Sequence, residues 1–180
     1  MLPDDTLLSQ TLFQAIAASL SLSPESPEAQ TLIYRAYGDP PPPEPPRDQD
    51  RVYYFLSTPP GVPAETELTP DRGIWQSRSF RPALLNLIFY GPGSEALAHR
   101  VMVNFLADGR GNPLSLLRGI GVRVVPEAQV PAVSWEDLKG LWRKRADLVI
   151  PLRLLHTMET AQQGALPAGT VSQPPEEEII

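Results

Sequence analysis

Residues 85–99 read LNLIFYGPGSEALAH. An apolar run meets Gly-Pro-Gly, and a helical pattern follows at once. From Ala83 to Tyr90 only Asn86 is polar. That is the composition of a strand covered on both faces. Ser94 is placed to cap the next segment, and Leu97, Val101 and Phe105 form one stripe with Ala98 and Met102 beside it. Such spacing predicts an amphipathic helix to about Ala107. The stretch is therefore a strand-to-helix corner.

The same corner raises a chemical question. Gly91, Gly93 and Ala96 fit the spacing G-x-G-x-x-A, the small-residue form of the dinucleotide fingerprint. A dinucleotide turn needs backbone N–H groups aimed at pyrophosphate from a helix N-terminus. Pro92 removes one donor. The acid expected about twenty residues on is Asp108, which lies in DGRGN (108–112), a glycine-rich helix end rather than a strand end. A nucleotide-binding protein or small enzyme using the Gly91–Ala96 turn is kept as the alternative reading.

Outward from the corner, the pattern predicts a helix at 5–20, where Leu8, Leu12, Ile16 and Leu20 repeat every four residues. Pro24 and Pro27 end it. AQTLIYRAYGD (29–39) fits a short helix or a strand. PPPPEPPRDQD (40–50) reads as an exposed polyproline segment, a stiff spacer or a ligand for a proline-recognition domain. RVYYFLSTP (51–59) is strand-like, and PGVPAETELTPDRG (60–73) reads as a loop. IWQSRSFRPALLNLIFY (74–90) makes one long strand or two shorter ones, with Pro82 at an edge, bend or bulge.

PLSLLRGIG after residue 112 gives one or two helical turns, and VRVVPEA (122–128) a strand stopped by Pro126. Glu136 and Asp137 read as first-turn acids of a short helix capped by Ser134. In the closing strand, Ala146, Leu148, Ile150, Leu152 and Leu154 share one face, with Asp147, Val149, Pro151 and Arg153 on the other. These elements predict an α+β fold: a small, mostly antiparallel β-sheet with helices packed on it. Residues 1–157 form one domain with a proline-rich loop at 39–50. Residues 158–180 form a flexible or partner-ordered tail.

Composition narrows the function. The 180 residues include 22 prolines, about twice ordinary usage. Cysteine is absent, which removes disulfides and thiolate metal sites. Only His99 and His156 are available as imidazole bases or ligands, and no G-x-S-x-G elbow accompanies them. No catalytic, cofactor or metal site is expected. The N-terminus lacks a basic leader pattern, and no apolar run approaches the roughly 18 residues of a membrane span. A cytoplasmic origin with no membrane partner is the expectation.

The net charge of −6 is unevenly spread. Residues 1–70 carry −7, residues 71–155 carry +5 and the remainder −4. Acidic ends around a basic centre suit a subunit that binds copies of itself or a charged partner. Thirteen of the 15 basic residues are Arg, the residue of bidentate protein–protein pairs. The densest cluster, LWRKRADL (141–148), puts Arg143, Lys144 and Arg145 on alternating sides if the strand has begun there. Trp142 and Trp135 beside it are plausible interface anchors or core residues.

The second half resembles the neck and tail-terminator (head–tail joining) proteins of tailed bacteriophages. The resemblance covers about residues 80–156. It rests on an FYG…A element, here Phe89, Tyr90, Gly91 and Ala96, and on a closing W-x-x-R-A-D-L strand, here Trp142, Arg145, Ala146, Asp147 and Leu148. It implies a structural virion protein, not an enzyme, whose copies close into a ring, often hexameric, between head connector and tail tube. The ring would cap tube growth and pass double-stranded DNA. Partners would be portal or head-completion proteins and tail tube or sheath proteins. Trp142, Arg143, Lys144, Arg145 and Asp147 are the subunit-interface candidates.

Overall fold

A computed structural model describes residues 5–59, 65–71, 74–106, 113–127 and 130–160, with side chains described outside 65–78 and 156–160. The chain runs α1 (Asp5–Ser19), α2 (Pro27–Leu32), β1 (Ile33–Arg35), β2 (Arg51–Ser57), β3 (Glu65–Asp71), β4 (Ile74–Tyr90), α3 (Ser94–Leu106), α4 (Pro113–Gly119), β5 (Val122–Val124), β6 (Ala132–Leu138) and β7 (Leu141–Thr160). The fold is α+β. All strands join one sheet, antiparallel except for the parallel pair β1–β2.

The sheet is built on two long central strands. β4 and β7 pair continuously from Trp75↔Thr160 to Tyr90↔Arg145. Short strands flank them: β2 and β3 on the outer side of β4, β5 and β6 on the outer side of β7. The ambiguous 29–39 stretch proves to be both things, a helix through Leu32 and then a strand. Residues 74–90 form one strand.

Both prolines of the central strands sit where their missing donors cost nothing. Val125 N–H donates to the Pro151 carbonyl at 2.9 Å, so Pro151 faces β5, away from β4. Its partner Leu84 therefore faces the other flank, and so does Pro82 two residues along. On that flank β2 ends opposite Leu84 and β3 begins opposite Phe80, leaving Pro82 in the gap. A proline in a central strand is tolerated where no neighbouring strand asks for its N–H.

Register sorts the side chains. The rows Val52–Phe89–Ala146, Tyr54–Leu87–Leu148 and Leu56–Leu85–Ile150 lie on one face. Leu8, Leu12 and Ile16 of α1, Ala98, Val101 and Phe105 of α3, and Leu117 of α4 close over them in a single core. The expected faces of the α1, α3 and 146–154 patterns are those the structure buries. The apolar run 83–90 differs from expectation. Its odd positions are buried, whereas Leu84, Asn86 and Ile88 point to the second face and are half-exposed. The described helices cover one face only.

Two further expectations are corrected. Residues 65–71, read as loop, form β3, paired along its length with β4. The Ser134–Glu136–Asp137 segment, read as a helix start, is strand β6. It pairs from Ala132↔Asp147 to Leu138↔Leu141 and forms a hairpin with β7. Lys139 (φ 57°) and Gly140 (φ 80°) make its two-residue turn. Positive φ at both positions matches the turn to the strand twist. β7 extends past residue 157 to Thr160; residues 161–180 and the 108–112 loop lie outside the described residues.

Candidate functional site

The glycine turn is already filled by the protein itself. Asp50, just before β2, places Oδ1 2.8 Å from the backbone N of Gly93, which donates to it. A Cβ on Gly93 would lie 2.5 Å from Asp50 Oδ2, and one on Gly91 would meet Asp50 Oδ1 and lie 2.8 Å from the Asp50 Cα. Gly91 also holds φ at +109°. The two glycines admit a neighbouring carboxylate and the backbone behind it. Asp50 therefore supplies the anion at the start of α3, where a helix dipole favours negative charge. A nucleotide phosphate at Gly91–Ala96 would have to displace it against like charge.

Two more details separate this corner from a dinucleotide turn. Ala96 is exposed, whereas the third small residue of the fingerprint serves close helix–strand packing. Here fully buried Ala98 does that packing. The expected cap, Ser94, is buried with its hydroxyl unpartnered, and Asp50 caps in its place.

The two sequence elements of the phage resemblance meet in the sheet. Phe89 pairs with Ala146, Tyr90 with Arg145 and Ile88 with Asp147. Gly91 N–H continues the ladder to the Lys144 carbonyl at 3.2 Å. On the second face, Arg145 is the hub. Its Nε donates to both Asp147 oxygens at 2.8 and 3.1 Å, and its Nη1 to Glu136 Oε2 at 2.9 Å. Tyr90 Oη donates to the same Glu136 oxygen at 2.5 Å, and the guanidinium lies 5.8 Å from the Tyr90 ring centroid.

The electrostatics follow from this packing. Burial, and then the bond to Glu136, push the Tyr90 phenol well above its ordinary value. Burial opposes the Glu136 charge, but the bonds from Tyr90 and Arg145 outweigh it and hold the carboxyl below its usual range. Arg145 is likewise partly desolvated, yet Asp147 and Glu136 fix its charge more firmly than in water. The group is a charge-satisfied network that locks β6 against β7 and β4.

The five interface candidates divide across the sheet. β7 has begun by Leu141, so Arg143, Arg145 and Asp147 point to the second face, and Trp142 and Lys144 to the helix side. Arg145 and Asp147 bond to each other within the chain. Lys144 Nζ reaches Glu95 at the start of α3 at 3.0 Å. Among the five, Trp142 is the large apolar side chain left in solvent, 63% exposed. Trp135 joins it on the same face of the hairpin at 64%. Neither is core. Val133 and Leu141 on the hairpin are also exposed, and β6 presents its outer edge unpaired among the described strands.

Other candidates do not converge. His99 is exposed on α3, and His156 lies in β7 opposite Ser79. Among the described residues no three His, Cys, Asp or Glu side chains group as a metal site, and no helix is long and apolar enough to cross a membrane. Neither a protein-family model nor a curated protein matches the chain.

Proposed function

We propose that this chain is a structural virion protein, the ring-forming subunit of a phage neck or tail terminator. It would join the head connector to the tail tube, cap tube growth and leave a passage for DNA. Its partners are further copies of itself, portal or head-completion proteins, and tail tube or sheath proteins; its location is the virion, after assembly in the host cytoplasm. It carries out no catalysis in this reading.

One observation carries the proposal. The FYG and RAD elements on which the resemblance rests, more than fifty residues apart in sequence, are cross-strand partners in the sheet. They act as one structural unit. The exposed Trp135 and Trp142 add support. Two large aromatic side chains on a projecting hairpin beside an open strand edge have the chemistry of an interface anchor. A hairpin of one copy seated on a different surface of the next makes a head-to-tail contact, which closes into a ring when the rotation permits.

Light scattering coupled to size exclusion, with negative-stain microscopy of the same fractions, tests the reading. The expected outcome is a closed ring of hexameric size with a central opening. A monomer at every concentration, with no binding to tail tubes or connectors, overturns it.

A further inference from the structure

Residues 40–46, PPPPEPP, cross the second face of the sheet, the one without helices. A polyproline II helix repeats every three residues. Pro42 and Pro45, three apart, are half-buried, as is Pro46 at the end of the run, while Pro40, Pro41, Pro43 and Glu44 are exposed. Two contacts fix the segment. Tyr53 Oη donates to the Pro43 carbonyl at 2.7 Å, and Glu44 pairs with Lys139 at the β6–β7 turn. The segment thus reaches from β2 to the far hairpin.

The floor is a tyrosine ladder. Tyr34 stacks on Tyr53 at 5.8 Å, and Tyr53 meets Tyr90 edge-on at 5.8 Å. Tyrosine rings with a hydroxyl aimed at a proline carbonyl are the chemistry by which proline-rich peptides are recognised. One part of the site is left unused. Arg143 Nε and Nη1 are buried without an acceptor, although the Arg143 charge acts on both Tyr53 and Glu44. Buried donors without partners are costly. A polyproline chain spends none of its carbonyls internally, so any of them is free to satisfy such a donor.

We propose that the Tyr34–Tyr53–Tyr90 face with Arg143 is a polyproline-binding site, that residues 40–46 are its resident ligand, and that an acidic proline-rich segment presented by another molecule takes the same seat. A segment not tethered to β1 and β2 is free to shift until one of its carbonyls accepts from Arg143, whose Nε and Nη1 the resident segment leaves unused. Its carboxylate takes the place of Glu44 beside Lys139. The tethered segment competes as an internal ligand, which sets a threshold for exchange. This inference stands apart from the ring reading, since it needs only the monomer.

The test uses the full chain with residues 40–46 replaced by a glycine–serine linker of equal length. The probe is a synthetic peptide of the sequence DPPPPEPPRDQD, residues 39–50, followed by calorimetry and amide NMR. The replaced protein is expected to bind with Kd on the order of 100 μM. The intact chain is expected to bind about tenfold more weakly, because a short tether holds its own segment at roughly millimolar effective concentration. Tyr53→Phe in the replaced protein should weaken binding about fivefold, the loss of one hydrogen bond. A peptide with every proline changed to alanine should not bind.

A folded replaced protein that ignores the peptide at millimolar concentration overturns the proposal; so does equal binding of the alanine peptide, which would leave charge attraction alone. If the replaced protein does not fold, trypsin cleavage after Arg47 in the intact chain decides. Tyr53→Phe combined with Lys139→Glu should speed it severalfold by releasing the segment, and an unchanged rate overturns the proposal.

Discussion

Asp50 and Gly93 are 43 residues apart in sequence and joined by a 2.8 Å hydrogen bond from the Gly93 N–H to the Asp50 carboxylate. This contact ties the entry to β2 to the start of α3. It also explains why both turn positions are glycine. Gly93→Ala is expected to destabilise the fold by about 2 kcal/mol, since its Cβ meets the carboxylate. Asp50→Ala should cost about 1 kcal/mol, as other lost helix caps do. The double variant should be less destabilised than the sum of the two, because removing the carboxylate removes the clash. Urea denaturation of the four proteins reads this directly. Gly91→Ala has no such rescue, because its Cβ also meets the Asp50 backbone and its φ is positive.

Arg145 is bonded within the chain to both Glu136 and Asp147, so its loss acts first on the fold. Arg145→Glu would gather three carboxylates with Glu136 and Asp147 beside a half-buried face, and should destabilise the monomer by about 3 kcal/mol. Arg145→Lys keeps the charge but not the fork, and should cost about 1 kcal/mol. A ring lost through Arg145→Glu in a protein whose melting temperature is unchanged would refute this and place Arg145 at a seam.

Trp135 and Trp142 give the opposite separation. Both are nearly two-thirds exposed, so Trp135→Ala and Trp142→Ala should change stability by less than about 1 kcal/mol. Self-association should fall sharply, by tenfold or more if the pair anchors a subunit contact. Sedimentation velocity over a concentration series measures it. An unchanged assembly in the double variant removes the hairpin from the interface.

Alkali should destabilise the fold through its buried tyrosines. Burial pushes Tyr53 up to about 12 from an ordinary 10. A proton held more tightly in the folded state stabilises the fold fully below pH 10, and that contribution is lost as pH rises toward 12. The loss from Tyr53 is about 2 kcal/mol, with Tyr90 acting in the same direction. Tyr53→Phe should flatten the fall in urea midpoint between pH 9 and pH 11.5; an identical slope in both proteins would remove Tyr53 as its source.

Where a sequence pattern was local and one-sided, it was legible. The alternation from Ala146 to Leu154 and the four-residue repeat of α1 report a single inward face, which the structure buries through Leu152 and half-buries at Leu154. β3 carries no strand signal of its own, because ETELTPD is polar and contains proline; it is a strand because β4 runs on beside it. β6 was obscured by Ser134 and Glu136, which mimic a helix cap, and by a Lys-Gly turn less distinctive than Asn-Gly. The Arg145 cluster was found as charge, but its pairing with Glu136 depends on that hairpin. The Asp50–Gly93 contact and the tyrosine ladder under the prolines join distant positions and leave no periodic trace.

Parallel neighbours such as β1 and β2 are ordinarily bridged by a helix. Here the bridge is largely a polyproline rod, whose six prolines and one glutamate at 40–46 span about 20 Å at 3.1 Å per residue. Ladder hydrogen bonds tie each strand only to its neighbours and leave a sheet free to flex about its strand axes. The rod fastens β2 to the β6–β7 turn by a contact at each end. It works as a transverse brace. Because proline rings are stiff before folding as well as after, little chain entropy is lost in setting it in place. A sheet face bare of the described helices thereby gains resistance to shear.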